Sequence, residues 1–137
     1  MSLRLKLRPG EKLIINGCIL VNGPQRASFE VVTRADVLRG DEILEARTAT
    51  TPARRLGLQI QVALVSPADR AQALEQIGMI AKDLSGILLA ERGEQLATVI
   101  RLVEAGEFYK AWRATIPLIR HEDVLMRRIR ETEGNAA

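Results

Sequence analysis

Thr48-Ala49-Thr50-Thr51-Pro52-Ala53-Arg54-Arg55-Leu56-Gly57-Leu58-Gln59-Ile60-Gln61-Val62-Ala63-Leu64-Val65-Ser66-Pro67-Ala68-Asp69 is the stretch in which the chain changes periodicity, and the fold class turns on it. Thr48 to Pro52 is a loop by composition. Leu56, Leu58, Ile60, Val62 and Leu64 then alternate with Gln59 and Gln61, the period-2 pattern of a strand with one apolar and one polar face. Ser66-Pro67-Ala68-Asp69 is a helix start: a hydroxyl to cap, a proline for the first turn and a carboxylate near the positive dipole end. Beyond it Leu74, Ile77, Ala81, Leu84 and Leu88 recur at helical spacing, with Ile80 and Ile87 widening the stripe. The reading is therefore α+β, with a β-rich basic module over 1–65 and a helical module over 66–137.

Working back from this boundary, the first half breaks into short strands. Leu3, Leu5 and Leu7 alternate with Arg4, Lys6 and Arg8 until Pro9-Gly10 ends the strand. Leu13-Ile14-Ile15 and Cys18 to Val21 flank Asn16-Gly17, a strong two-residue hairpin signal because both residues tolerate positive φ. Asn22-Gly23-Pro24 leads to a strand over Ala27 to Val32, and Val37-Leu38 forms a short one. Strands joined by tight turns predict an antiparallel β meander or small barrel. Cys18, set among apolar strand residues, reads as a small buried hydrophobe.

Working forward, Leu96, Val99, Ile100 and Val103 mark a second helix, with Gly106 as its stop. A third follows over 107–116 with Phe108, Ala111 and Trp112, and Pro117 either kinks it or starts a fourth. Three or four helices thus pack as a bundle against the strands. Phe108 and Trp112 share a helix face suited to packing, and Tyr109 lies off it; Tyr109 and Trp112 are the candidates for a partner-binding surface.

The 137 residues carry 20 Lys+Arg and 17 Asp+Glu, a net charge of +3 that is unevenly placed. Residues 1–65 hold ten basic and six acidic side chains, and residues 66–137 hold ten and eleven, so the whole excess lies in the strand half. A local excess of this kind favours a polyanion through phosphate contacts and counterion release. Arg4, Lys6 and Arg8 project from one strand face at about 7 Å intervals, near the phosphate repeat of an extended single strand. With Arg39 in a turn and Arg54-Arg55 opening the next segment, they are the candidate RNA-binding residues. Aromatics are only 3% of the chain, which turns the reading away from base stacking and toward arginine and backbone contacts.

Conventional catalysis finds little support: there is no glycine-rich phosphate loop and no nucleophile–His–acid set at recognisable spacing. One cysteine and one histidine give no zinc-ligand pattern, and His121-Glu122-Asp123, as neighbours on a helix, point in different directions. No enzyme activity, metal or cofactor is expected. The absence of a long apolar run or a signal peptide points to the cytoplasm and away from the membrane.

Several motifs in order resemble the FlbT family of flagellin regulators. They are Leu3-x-Leu5-x-Leu7-x-Pro9-Gly10-Glu11-Lys12, Asn16-Gly17, Asn22-Gly23, Val37-Leu38-Arg39, Thr50-Thr51-Pro52-Ala53-Arg54, Phe108-Tyr109-Lys110-Ala111, Leu118-Ile119 and Glu122-Asp123. The resemblance implies a cytoplasmic post-transcriptional regulator that binds the 5′ untranslated region of flagellin mRNA and lowers its translation or stability. The strand half alone, through Arg8-Pro9-Gly10-Glu11 and Val37-Leu38-Arg39, is similar to the carbon storage regulator family. Those proteins are small β dimers that bind message leaders with basic residues, a parallel that nominates Arg4, Lys6, Arg8 and Arg39 and favours a homodimer. The competing expectation is a protein-interaction adaptor or chaperone that acts on flagellin or a partner flagellar regulator without touching RNA.

Overall fold

Residues 52–65 form a helix, not the strand that their alternation predicts. The computed structural model describes residues 2–87 and 90–135, with five strands followed by four helices. The first helix, α1 (Pro52–Val65), has Thr51 as its extended N-cap residue and proline at its start, where the missing N–H costs nothing. Its buried positions are Ala53, Leu56, Gly57, Ile60, Gln61 and Ala63, a 3.6-residue period that leaves Leu58 and Val62 half-buried. Gln61, which the strand reading sends to solvent, is buried and bonded both ways to one backbone unit. Its Oε1 accepts the Leu44 N–H at 2.8 Å, and its Nε2 donates to the Leu44 carbonyl at 2.9 Å. A polar residue inside the core is thereby satisfied.

The strands form two small antiparallel sheets in place of one continuous meander. In the first, β1 (Leu3–Leu7) pairs with β4 (Ala27–Val31), setting Arg4 opposite Glu30 and Lys6 opposite Ser28. In the second, β2 (Lys12–Ile15) lies between β3 (Cys18–Val21) and β5 (Val37–Leu38). The Asn16-Gly17 turn joins β2 to β3 with φ of 49° and 78°, the positive-φ pair expected of a tight hairpin. A Cβ on Gly17 would stand 2.9 Å from the Leu64 carbonyl oxygen, so the turn is pressed against the end of α1. Leu13 buries with Leu5, Leu7 and Val37 between the sheets, while Ile14 on the opposite face joins the helical core. Cys18 is exposed, because β3 is an edge strand that neither core covers.

The remaining helices are α2 (Arg70–Ile87), α3 (Ala90–Glu104) and α4 (Phe108–Asn135). Ile77 and Leu84 of the expected stripe are buried; Leu88 lies outside the described residues. Gly106 ends α3 as anticipated: at φ +75° it donates to the Val103 carbonyl, and Glu107 N–H donates to that of Leu102. Pro117 supplies no N–H to the ladder, yet α4 continues through it as one helix of 28 residues. Helices α2 and α4 pack against α1, and α3 packs against α4, around Leu56, Ile60, Val99, Trp112 and Leu118.

Candidate nucleic-acid interface

The β1–β4 ribbon buries Leu5 and Leu7 and turns the even-numbered side chains of β1 outward. Lys6 and Arg8 are exposed and, among the described residues, make no ion pair. Arg4, on the same face, lies 3.7 Å from Glu30 across the ribbon; both side chains are well exposed, so this pair neutralises Arg4 only weakly. Lys6 and Arg8 line two adjoining clefts. One, of about 540 Å³, also takes in Pro9, Gly10, Glu11, Arg39 and Asp41. The other, of about 490 Å³, adds Arg26 and Ser28.

The turn after β1 holds Arg8 firmly in place. Its N–H donates to Glu11 Oε1 at 3.0 Å, and its carbonyl accepts from Glu11 N–H at 3.1 Å and from Asn22 Nδ2 at 2.7 Å. Glu11 also receives Arg39 Nη2 at 3.3 Å, and the same guanidinium donates to the Lys6 carbonyl. The Arg8 N–H, with Arg39 beside it, holds the Glu11 carboxyl below the usual carboxylate range. Arg39 therefore fastens the turn after β5 to β1, and spends part of its donor capacity inside the protein.

Of the six RNA-binding candidates, Lys6, Arg8 and Arg39 share one cleft, and Arg4 continues their face along the strand. Arg54 and Arg55 do not line either cleft: both are on α1. Arg55 is exposed, whereas Arg54 makes a two-pronged ion pair with Asp123 of α4, Nη1 to Oδ1 at 2.7 Å and Nη2 to Oδ2 at 2.9 Å. Arg26 was not a candidate. In the expected meander β1 would pair with β2, and only the observed β1–β4 pairing brings the residue before β4 beside Arg8.

The neighbour of Asp123 completes this joint. Glu122 Oε2 accepts the Ala53 N–H at 2.9 Å, so a side chain of α4 fills the capping role that the Thr51 side chain leaves open. The Thr-Pro-Ala-Arg and Glu-Asp motifs, 69 residues apart, are thus two halves of one helix junction. The Arg54 hydrogen bond holds the Asp123 carboxyl below its ordinary range, so this contribution to stability is present above that range and is lost as pH falls through the lowered value. Asp123→Asn should lower Tm near neutrality and lessen the further fall below about pH 4. Thermal melts of both proteins across that range check the expectation; parallel curves would count against the ion pair.

Tyr109 and Trp112 are not a free docking face. Trp112 is 2% exposed within the helical core. Tyr109 is half-buried, and its hydroxyl donates to the Val37 carbonyl at 3.2 Å while accepting from Arg113 Nε at 3.0 Å. Arg113 also donates to Val37 carbonyl at 2.8 Å and to Glu42, whose other oxygen accepts the Arg39 N–H at 3.0 Å. Burial opposes the charge on Arg113, but Glu42 and Tyr109 together outweigh it and raise the guanidinium pKa above its ordinary value. These contacts bind α4 to β5 and to the turn that carries Arg39.

Among the described residues no helix is long and apolar enough to cross a membrane. The family described as "Flagellar protein FlbT" matches residues 3–126. A probable flagellum biosynthesis repressor protein from Caulobacter sp. (strain K31) is 32% identical over 127 residues, covering 90% of this chain and 95% of its own length. One from Rhodopseudomonas palustris (strain TIE-1) is 32% identical over 128 residues, covering 93% and 100%. A third, from Brucella anthropi, is 33% identical over 111 residues, covering 80% and 72%. No solved structure matches the chain.

Proposed function

The chain belongs to the FlbT family of flagellar proteins, and from that premise we propose that it represses flagellin synthesis by binding the 5′ untranslated region of flagellin mRNA through its Lys6–Arg8 face. Its relatives are named repressors of flagellum biosynthesis, which makes this a regulator family and not an enzyme family. The observation that carries the reading is the convergence of Lys6, Arg8, Arg26 and Arg39 on two adjoining clefts. Lys6 on β1 and Arg8 just past its end flank Leu7, a spacing of about 7 Å for extended backbone that suits successive phosphates of single-stranded RNA. Arg26 extends the positive surface on one side. Arg39, held by Glu11, presents what remains of its fork on the other. Occupying the leader would restrict ribosome access or mark the message for decay.

Titration of the purified chain against labelled flagellin leader RNA tests this. Binding should weaken linearly on a log–log plot as salt rises from about 50 to about 200 mM, because phosphate contacts release counterions. Absence of binding by the pure chain, with recovery when a second flagellar protein is added, would replace the direct reading with the adaptor. Salt-insensitive binding would remove the cationic face from the account.

A further inference from the structure

We infer that a second copy of this chain pairs with the free edge of β3, joining two three-stranded sheets into one six-stranded sheet. Strand β3 is the outer strand of its sheet, and Ile19, Leu20 and Val21 are 55%, 45% and 63% exposed. Both faces of the strand are therefore bare, along with one edge. The other exposed strands are guarded: β1 carries Arg4 and Lys6, and β4 carries Glu30. From Asn16 to Gly23 there is neither charge nor proline, the two devices that keep an open edge from recruiting another strand.

The hydrogen-bond parity shows which groups await a partner. Asn22 N–H donates to the Glu11 carbonyl at 2.9 Å, so Cys18, Leu20 and Asn22 direct their backbone groups toward β2. Ile19 and Val21 consequently point theirs outward. For two antiparallel copies, side chains opposite each other must lie on the same face, so residue numbers in a pair share parity. A two-fold axis at Leu20 satisfies this. It sets Leu20 against Leu20 of the second copy and Ile19 against Val21 twice, with the outward N–H and C=O groups of both strands paired.

Charge selects the occupant. An isologous contact sets each residue against its own kind or its two-fold mate, so a charged ribbon such as β1 would oppose arginine to lysine, whereas β3 brings no charged side chains together. Size sets the strength. The three side chains expose roughly 300 Å² per copy, well under half of the about 800 Å² that a standard interface takes from each partner, so the dimer is reversible and governed by concentration. This inference stands apart from RNA binding and survives if the basic face proves to have another ligand.

Sedimentation of the full chain over a concentration series should show a monomer–dimer equilibrium. The double variant I19K/V21K should remain monomeric with an unchanged Tm, since both side chains already face solvent. Mixing it with I19E/V21E should restore a dimer, because the two-fold places each lysine opposite a glutamate. A chain that stays monomeric to its solubility limit, a dimer that I19K/V21K leaves intact, or a failure of the charge-swapped pair to associate would each overturn the proposal.

Discussion

Replacing Lys6 and Arg8 together by alanine should weaken binding of flagellin leader RNA by about 100-fold at moderate salt, two lost phosphate contacts at about 1–1.5 kcal/mol each. The dependence on salt is the sharper readout. Each contact with a single strand contributes about −0.7 to the log–log slope, so the double variant should be shallower by about 1.4. Both side chains are exposed and without an ion pair among the described residues, so Tm should barely move and lost binding cannot be blamed on unfolding. Arg54→Ala provides the contrast. It should reduce stability through the lost Asp123 pair and leave RNA affinity within about twofold, because α1 does not line the clefts. Equal losses from the two variants would place the RNA elsewhere, as would a double variant that binds like the original.

Ile60→Ala should lower the unfolding free energy by about 2–5 kcal/mol, whereas Val62→Ala should cost less than about 1 kcal/mol. The two residues are equivalent on the strand reading and different on the helix. Ile60 is 0% exposed in the core, and its deletion leaves a cavity among tightly packed neighbours. Val62 is half-buried, and alanine there gains helix propensity that offsets the lost packing. Urea unfolding of both variants checks the pair. Similar losses at both positions would mean that α1 does not pack through the face described.

The alternation of 56–64 misled for an identifiable reason. Leu56 and Ile60 stand four apart, so they satisfy both periods, and the half-buried Leu58, Val62 and Leu64 complete a false strand face. Helical signals were present in the same residues: Thr51-Pro52 as a start, and Ala, Leu, Gln and Arg outnumbering β-branched residues. By contrast, Asn16-Gly17 and Gly106 were legible because each rests on a local backbone requirement that few residues meet. The basic face of β1 was legible for a similar reason: alternation about Leu5 and Leu7 leaves its cations nowhere to point but outward. Cys18 escaped because an edge strand and a central one share the same apolar composition.

By itself the sequence determined the antiparallel strand region, the helical bundle, the turn positions and the outward row of Arg4, Lys6 and Arg8. All of these follow from contacts within a few residues, where period and turn chemistry act. Only the tertiary structure decided which cations stay available. Arg54 meets Asp123 across 69 residues of chain, Arg39 meets Glu11 across 28, and Arg26 reaches Arg8 through the pairing of β1 with β4. A charge has a strong effect only within a few ångströms in water, so its role depends on what folding places beside it.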